Sequence, residues 1–306
     1  MPELSVIIPV YNEELNIPNL LARLRPVAEK TGMSYEFLFV NDGSTDGSLQ
    51  LIKSLADEHV RYIDFSRNFG HQVAVSAGID HCRGNLIAIL DADLQDPPEL
   101  LEEMIALAKQ GNEVVYAKRR SRKDKSLAKK KAYTFFYRLL ARISDVNVPL
   151  DAGDFRVMTR KVAEALKNMP EQHKFLRGQI AWMGFKQAFV EYDRDERAAG
   201  KPGYTYKKLF RLAFDGIAGF SNLPLRIATF MGFVVSGISL ILVLYALISY
   251  FFFNGDIPKG WASLMIAICF IGGVQLICLG IIGEYISRLQ TDIRRRPLYI
   301  VNETNC

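Results

Sequence analysis

Leu90-Asp91-Ala92-Asp93-Leu94-Gln95-Asp96-Pro97-Pro98 completes and follows the apolar run Leu86-Ile87-Ala88-Ile89-Leu90. A short apolar run bounded by turn-forming residues reads as a buried strand. Carboxylates at the carboxyl end of such a strand stand where open α/β sheets bind their ligands. Hard cations such as Mg²⁺ take oxygen ligands, often one or two carboxylates together with substrate phosphates. Asp91 and Asp93, two residues apart, therefore suggest a metal–diphosphate site. The same pattern fits an ordinary turn, and Asp96 before Pro97 reads as a cap for the helix that follows.

On both sides of this stretch, strands alternate with helices. Leu4–Val10, Glu36–Val40, Val60–Phe65, Leu86–Leu90 and Glu113–Ala117 have the character of strands, whereas Asn16–Glu29, Leu49–Glu58, His71–Cys82 and Pro98–Gln110 have helical spacing. That order predicts an α/β fold with a doubly wound, mostly parallel sheet. No Gly-X-Gly-X-X-Gly follows the first strand and no Gly-Lys-Ser/Thr occurs, which argues against a dehydrogenase or a P-loop ATPase. The first strand instead runs into Pro9-Val-Tyr-Asn-Glu13 and the second into Asn41-Asp42. Polar groups at the ends of strands one, two and four would converge on one crevice.

The carboxy-terminal third is different. Ile227–Phe253 is 27 residues and Trp261–Gly283 is 23, neither with a charge. About 20 apolar residues span a bilayer, so the two stretches predict a transmembrane hairpin. Lys207, Lys208, Arg211, Arg226, Arg288, Arg294, Arg295 and Arg296 flank it, against Lys259 in the connection. The positive-inside rule then puts both termini in the cytoplasm. Met1-Pro-Glu-Leu4 enters a strand with no apolar signal segment. The expected organisation is a cytosolic domain over 1–205, a juxtamembrane amphipathic helix over 206–226, the hairpin over 227–283 and a cytosolic tail over 284–306. A second basic and aromatic segment, 126–143, reads as a helix lying in the membrane interface. Gly272, Gly273, Gly280 and Gly283 predict close helix packing, and Gln275 is a buried polar group that wants a partner. Trp182 reads as core. The net charge of +5 is modest and its basic residues crowd the membrane flanks, which leaves little for nucleic-acid binding. The four cysteines show no metal-knuckle or redox spacing.

Several motifs in order carry a likeness. They are Val6-Ile-Ile-Pro-Val-Tyr-Asn-Glu13, Val40-Asn-Asp-Gly-Ser-Thr-Asp46, Ser66-Arg-Asn-Phe-Gly70, Asp91–Pro98, Gly153-Asp-Phe-Arg-Val-Met158, Phe220–Arg226, Gly272–Leu276 and Gly283–Ile286. The chain resembles the family-2 inverting glycosyltransferases, and within them the polyprenyl-phosphate glycosyltransferases, nearest the bacterial bactoprenol (undecaprenyl-phosphate) glucosyltransferases. The resemblance implies a nucleotide-diphospho-sugar transferase fold of GT-A type. It implies that Pro9, Tyr11, Asn12, Glu13, Asp42, Asp91 and Ala92 hold the nucleotide sugar, and that Asp91, Asp93 and Gln95 hold Mg²⁺ or Mn²⁺. Asp154 matches the carboxylate proposed as catalytic base, and Arg119, Lys130, Thr134 and Arg197 match the acceptor-phosphate side. It further implies UDP-glucose and undecaprenyl phosphate as substrates, a homotetramer in the bacterial inner membrane, and a product used in O-antigen and lipopolysaccharide modification. The chain departs from its relatives at Lys130, where Arg is frequent, at Lys201-Pro-Gly-Tyr204, and at His71, where Lys is frequent. His71 reads equally as a phosphate contact or as a helix-start residue.

The implied chemistry suits these residue types. A divalent ion offsets the charge of a departing nucleoside diphosphate. Basic side chains offset the repulsion between two anionic substrates and orient the acceptor oxygen. The alternatives are another sugar, such as mannose from GDP-mannose or an aminosugar, and a non-enzymatic nucleotide-sugar sensor or transporter subunit.

Overall fold

The computed structural model describes residues 1–120, 152–172, 174–193, 223–252 and 260–306. Lys130, Thr134, Arg197, the Lys201–Tyr204 departure, the two amphipathic segments and most of the connection after Phe253 lie outside the described residues. The described residues fall into two compact units. One is a sheet with its helices, and the other is a pair of long helices.

In the first unit, β1 (Leu4–Val10), α1 (Ile17–Lys30), β2 (Tyr35–Asn41), α2 (Ser48–Ser54), β3 (Val60–Phe65), α3 (His71–His81), β4 (Leu86–Ile89), α4 (Leu100–Lys109) and β5 (Val114–Arg119) follow the alternation read from the sequence. Next come β6 (Ala152–Thr159), α5 (Arg160–Lys167), α6 (Leu176–Trp182) and β7 (Gln187–Tyr192), and β8 (Val301–Thr304) closes the set. The sheet order is β7-β5-β6-β4-β1-β2-β3-β8. β1, β2, β3 and β4 are parallel because each is joined to the next through a helix. β6 enters antiparallel between β4 and β5, and β8 lies antiparallel on β3. β7 pairs parallel with β5, so the sheet is mixed but mostly parallel, with only β6 and β8 running against the other described strands.

Both faces of the sheet are buried, so its strands read as continuous apolar runs. Val6, Ile8, Phe37 and Phe39 pack on one face with Leu20, Leu24 and Leu101. Ile7, Leu38, Val40 and Ile63 pack on the other with Val75 and Val162. A side chain at Gly78 of α3 would bring its Cβ to 2.2 Å from Ile7 Cγ2, so the helix approaches the sheet only because this residue is glycine.

β8 is an element the sequence reading left as tail. Tyr299 stacks on Phe65 with ring centroids 5.0 Å apart and donates its hydroxyl to Asp80. Glu303 takes hydrogen bonds from Lys53 and Tyr62, and Asn302 donates to Asp64 at 2.9 Å. These contacts cover the β3 edge, which would otherwise present unpaired backbone groups.

The second unit holds α7 (Leu223–Phe252) and α8 (Trp261–Arg294), of 30 and 34 residues. At 1.5 Å per residue both exceed the roughly 30 Å of a bilayer's hydrocarbon core. Among the described residues, Phe270–Arg294 is the one stretch long and apolar enough to cross a membrane by length and composition. Among the described residues, no atom comes within 4 Å of where a side chain at Gly272, Gly273, Gly280 or Gly283 would begin. Gln275 is exposed rather than buried.

Candidate active site

The strand order assembles the site. β4 and β6 pair antiparallel with Ile89 opposite Arg156, and continuing that register two residues sets Asp91 opposite Asp154. Ligand atoms of Asp91, Asp154 and His71 then lie within 4.8 Å of one another. The His71 Nε2 stands 3.7 Å from Asp91 Oδ1 and 3.6 Å from Asp154 Oδ2, at the start of α3. Its ring keeps 40% exposure, so it is reachable from solvent.

Asp154 is held by two arginines. Arg156 donates from Nη2 to Oδ1 at 3.0 Å and from Nε to the Asp154 main-chain oxygen at 3.1 Å. Arg177, on α6, donates from Nε to Oδ1 at 3.2 Å and lies 3.1 Å from Oδ2 through Nη2. Arg156 is fully buried, and its guanidinium carbon lies 5.9 Å from the Tyr116 ring centroid. Burial would raise the Asp154 pKa, but Arg177, His71 and Arg156 together hold it well below the usual carboxylate range. Burial would lower the His71 pKa, but Asp91 and Asp154 push it up to about 9. Burial raises Asp91 to about 6, against the pull of His71 and with the repulsion of Asp154, Asp96 and Asp93.

The turn after β4 is strained. Leu94 has φ 57, a conformation that costs a residue with a Cβ and gathers at functional loops. It turns the chain so that the Asp93 Oδ1 accepts the Gln95 main-chain N–H at 3.1 Å, while Ala92 and Asp93 stay buried and Gln95 half-buried. Asp91 Oδ1 is a buried oxygen without a hydrogen-bond partner among the described residues. An orphaned carboxylate oxygen beside a second carboxylate suits a hard divalent cation. His71, Asp91 and Asp154 form an alternative ligand set by distance. Two guanidinium groups already occupy the Asp154 oxygens, which leaves Asp91 as the carboxylate of this set with an oxygen that accepts no hydrogen bond among the described residues.

The residues expected to hold the nucleoside separate into two kinds. Tyr11 is 48% exposed at the end of β1, available to a ligand, whereas Pro9 is buried within the strand. Asn12, at φ 56, accepts the Thr45 N–H at 2.8 Å and pins the first loop to the second. Glu13 accepts from the Asn16 side chain at 2.5 Å. Asp42 accepts main-chain N–H groups of Phe69 at 2.6 Å and Gly70 at 2.9 Å. Burial raises its pKa and these two donors pull it back. Gly43 lies against the same loop: a Cβ there would stand 2.4 Å from the Arg67 carbonyl carbon, at φ +64.

Arg119 ends β5 beside this cluster, with 20% of its side chain exposed. Two expectations fail nearby. Asp96 is not a cap: α4 begins at Leu100 after Glu99, and Asp96 is buried against Tyr192 and Arg119. Trp182 is 67% exposed rather than core. The sequence reading also missed Arg156, Arg177 and Tyr192. Their one signal is a charge or a phenol inside apolar runs, as in Phe155-Arg-Val-Met158 and Phe175-Leu-Arg177, where a buried cation demands a carboxylate.

Residues 5–167 match the family described as Glycosyl transferase family 2, and residues 223–289 match the GtrB C-terminal hairpin. A Bacillus subtilis (strain 168) protein named uncharacterized glycosyltransferase YkcC is 47% identical over 98% of this chain and 93% of its own length. The bactoprenol glucosyl transferase of Shigella phage SfII is 38% identical over 99% of this chain and 98% of its own. Among solved structures, glucosyl-3-phosphoglycerate synthase from Mycobacterium tuberculosis in complex with phosphoglyceric acid aligns at a TM-score of 0.48 and 18% identity, over 71% of this chain and 78% of that one. With a family match across more than half of its length and a curated relative at 47% identity end to end, this chain belongs to glycosyl transferase family 2.

Proposed function

We propose that this glycosyltransferase moves glucose from UDP-glucose to undecaprenyl phosphate, with inversion, at the cytoplasmic face of a bacterial inner membrane. The observation that carries the reading is the near end-to-end similarity to proteins named bactoprenol glucosyl transferase, which runs through the helical hairpin as well as the sheet. The lipid-linked sugar would serve cell-envelope or O-antigen modification.

Asp91, Asp93 and Gln95 would hold Mg²⁺ or Mn²⁺, which when bound offsets the charge of the departing diphosphate. Tyr11 and the Asn12–Glu13 and Asp42 loops line the nucleoside side. One oxygen of the acceptor phosphate forms the new bond to the anomeric carbon. The bond from that carbon to the diphosphate breaks on the opposite face, and UDP leaves with the electron pair. A phosphate monoester has its second pKa near 6 and is mostly dianionic at neutral pH. Asp154 therefore has little proton to remove. Clamped in its charged form by Arg156 and Arg177, it orients the acceptor and steadies positive charge at the sugar. Arg119, Lys130 and Arg197 offset the repulsion between two anions, and the Thr134 hydroxyl bonds the acceptor phosphate.

The two long helices would form a two-span hairpin, with the catalytic residues 1–205 and the tail 284–306 in the cytoplasm. The open glycine faces of α8 leave room for helices of other copies in a homotetramer.

The test is a panel. Purified protein is incubated with undecaprenyl phosphate, Mg²⁺ or Mn²⁺ and labelled UDP- and GDP-sugars, and the lipid is extracted. Label from UDP-glucose is expected. Label from GDP-mannose alone overturns the sugar, and no labelled lipid from any donor, with binding intact, points to a sensor.

A further inference from the structure

Arg119 and Tyr192 are register partners on the adjacent parallel strands β5 and β7. Their side chains therefore leave the same face of the sheet. The Arg119 Nε donates to the Tyr192 hydroxyl at 3.2 Å, and that hydroxyl donates to Asp96 Oδ1. The Asp96 carboxylate has 0% exposure and stands 3.6 Å from Arg119 Nη2, beyond hydrogen-bond length. The two charges are thus joined through the phenol. Burial and the adjacent Asp96 raise the Tyr192 pKa, so the phenol stays neutral and keeps the proton that it gives to Asp96.

The triad lies against the residue that precedes Asp154. A Cβ on Gly153 would stand 3.6 Å from Arg119 Nη2 and 3.7 Å from Asp96 Oδ2. Asp96 comes from the same turn as Asp91 and Asp93, so one loop carries both the metal-side carboxylates and this anchor. The Nε–Nη2 edge of Arg119 is taken up by Tyr192 and Asp96. Among the described residues, no hydrogen bond or ion pair is made by its Nη1. A guanidinium with one edge pinned can offer its end to a phosphate as a two-pronged donor, a geometry that lysine lacks.

We infer that Tyr192 and Asp96 are positioning residues that hold Arg119 with its Nη1–Nη2 end toward the phosphate monoester of the acceptor. The inference rests on the acceptor reading given above. Tyr192 fixes the edge from which the guanidinium hangs. Asp96, buried and bonded to the phenol, fixes Tyr192 and balances the arginine charge until the acceptor arrives. Setting the rotamer beforehand removes that ordering cost from acceptor binding and leaves donor binding alone.

The experiment measures kcat and separate KM values for undecaprenyl phosphate and UDP-glucose on the full chain. The variants are Tyr192→Phe, Asp96→Asn, Arg119→Lys and the Tyr192→Phe/Arg119→Lys pair. Losing one hydrogen bond to a charged group should raise the acceptor KM of Tyr192→Phe about tenfold. The donor KM should stay within about twofold, and the pair should be no worse than Arg119→Lys alone, since both act on one contact. Asp96→Asn should shift the acceptor KM in the same direction and serves where Tyr192→Phe fails to fold. An unchanged acceptor KM in the folded Tyr192→Phe protein, or an equal rise in both KM values, overturns the inference. Calorimetric binding of farnesyl phosphate separates the two claims. If the wild type binds it and Tyr192→Phe binds it equally well, only the positioning role falls. If the wild type binds no prenyl monophosphate, the acceptor reading falls and takes the inference with it.

Discussion

The loops that follow β1 and β2 and those around β5, β6 and β7 meet at one end of the sheet, yet they use their polar side chains in opposite ways. In the first group, most of these side chains bond the main chain, though Glu13 also takes the Asn16 side chain. Asn12 takes the Thr45 N–H, Asp46 takes those of Glu14 and Ser48, and Asp42 takes those of Phe69 and Gly70. In the second group, side chains bond one another: Arg156 and Arg177 on Asp154, and Tyr192 and Arg119 on Asp96. A carboxylate bonded to main chain fixes the shape of a loop. A carboxylate bonded to a guanidinium fixes a charge. The side proposed for the donor is thus a rigid frame and the side proposed for the acceptor a balanced set of charges, and substitutions should sort accordingly.

Asp93→Ala should have the largest effect, a loss of turnover of about 10²–10³-fold with little change in thermal midpoint. Near-wild-type metal-dependent activity in that variant would remove the turn after β4 from the metal assignment. Arg156→Met tests the charge side. Breaking a buried pair by removing one partner costs about 3–5 kcal/mol, readable by urea unfolding. A cost below about 1 kcal/mol would mean that Arg177 alone suffices for Asp154. Asp42→Ala tests the frame side. It leaves two main-chain N–H groups without their carboxylate and should cost about 1–3 kcal/mol, raising the UDP-glucose KM and sparing the acceptor KM. Equal changes in both would erase the distinction between the two regions.

The smallest effect concerns pH. The folded pKa of Asp154 lies below its unfolded value, so its stabilisation is present above about pH 4 and is lost as the pH falls. Between pH 5 and pH 3 the wild type should lose a few degrees more of thermal midpoint than Asp154→Asn, at about 2–4 °C per kcal/mol. Parallel losses in the two proteins would show that the arginines do not depress this group.

The parallel half of the fold was legible because its evidence is local. Each of β1 to β4 is an apolar run followed by a helix, and the strand bounds agree to within about a residue. The antiparallel insertion was not legible by periodicity, because the pairing of β6 with β4 joins segments some seventy residues apart. The Asp91–Asp93 turn was readable from its strand. Asp96 was misread because a local cap explains Asp-Pro-Pro well, while its true partner Tyr192 lies 96 residues away. Trp182 was misread because its apolar neighbours pack on the sheet and it does not. β8, with the sequence Val-Asn-Glu-Thr, offers no apolar pattern at all, and side-chain bonds to Lys53, Tyr62 and Asp64 help hold it in place.

That last strand sets an order of events. A ribosome makes β8 only after α7 and α8, so the sheet stays one strand short while the long apolar helices are being synthesised. Until then the β3 edge is open, with Phe65 and Tyr62 lacking their cover. Completion of the sheet therefore follows synthesis of the two long helices rather than preceding it.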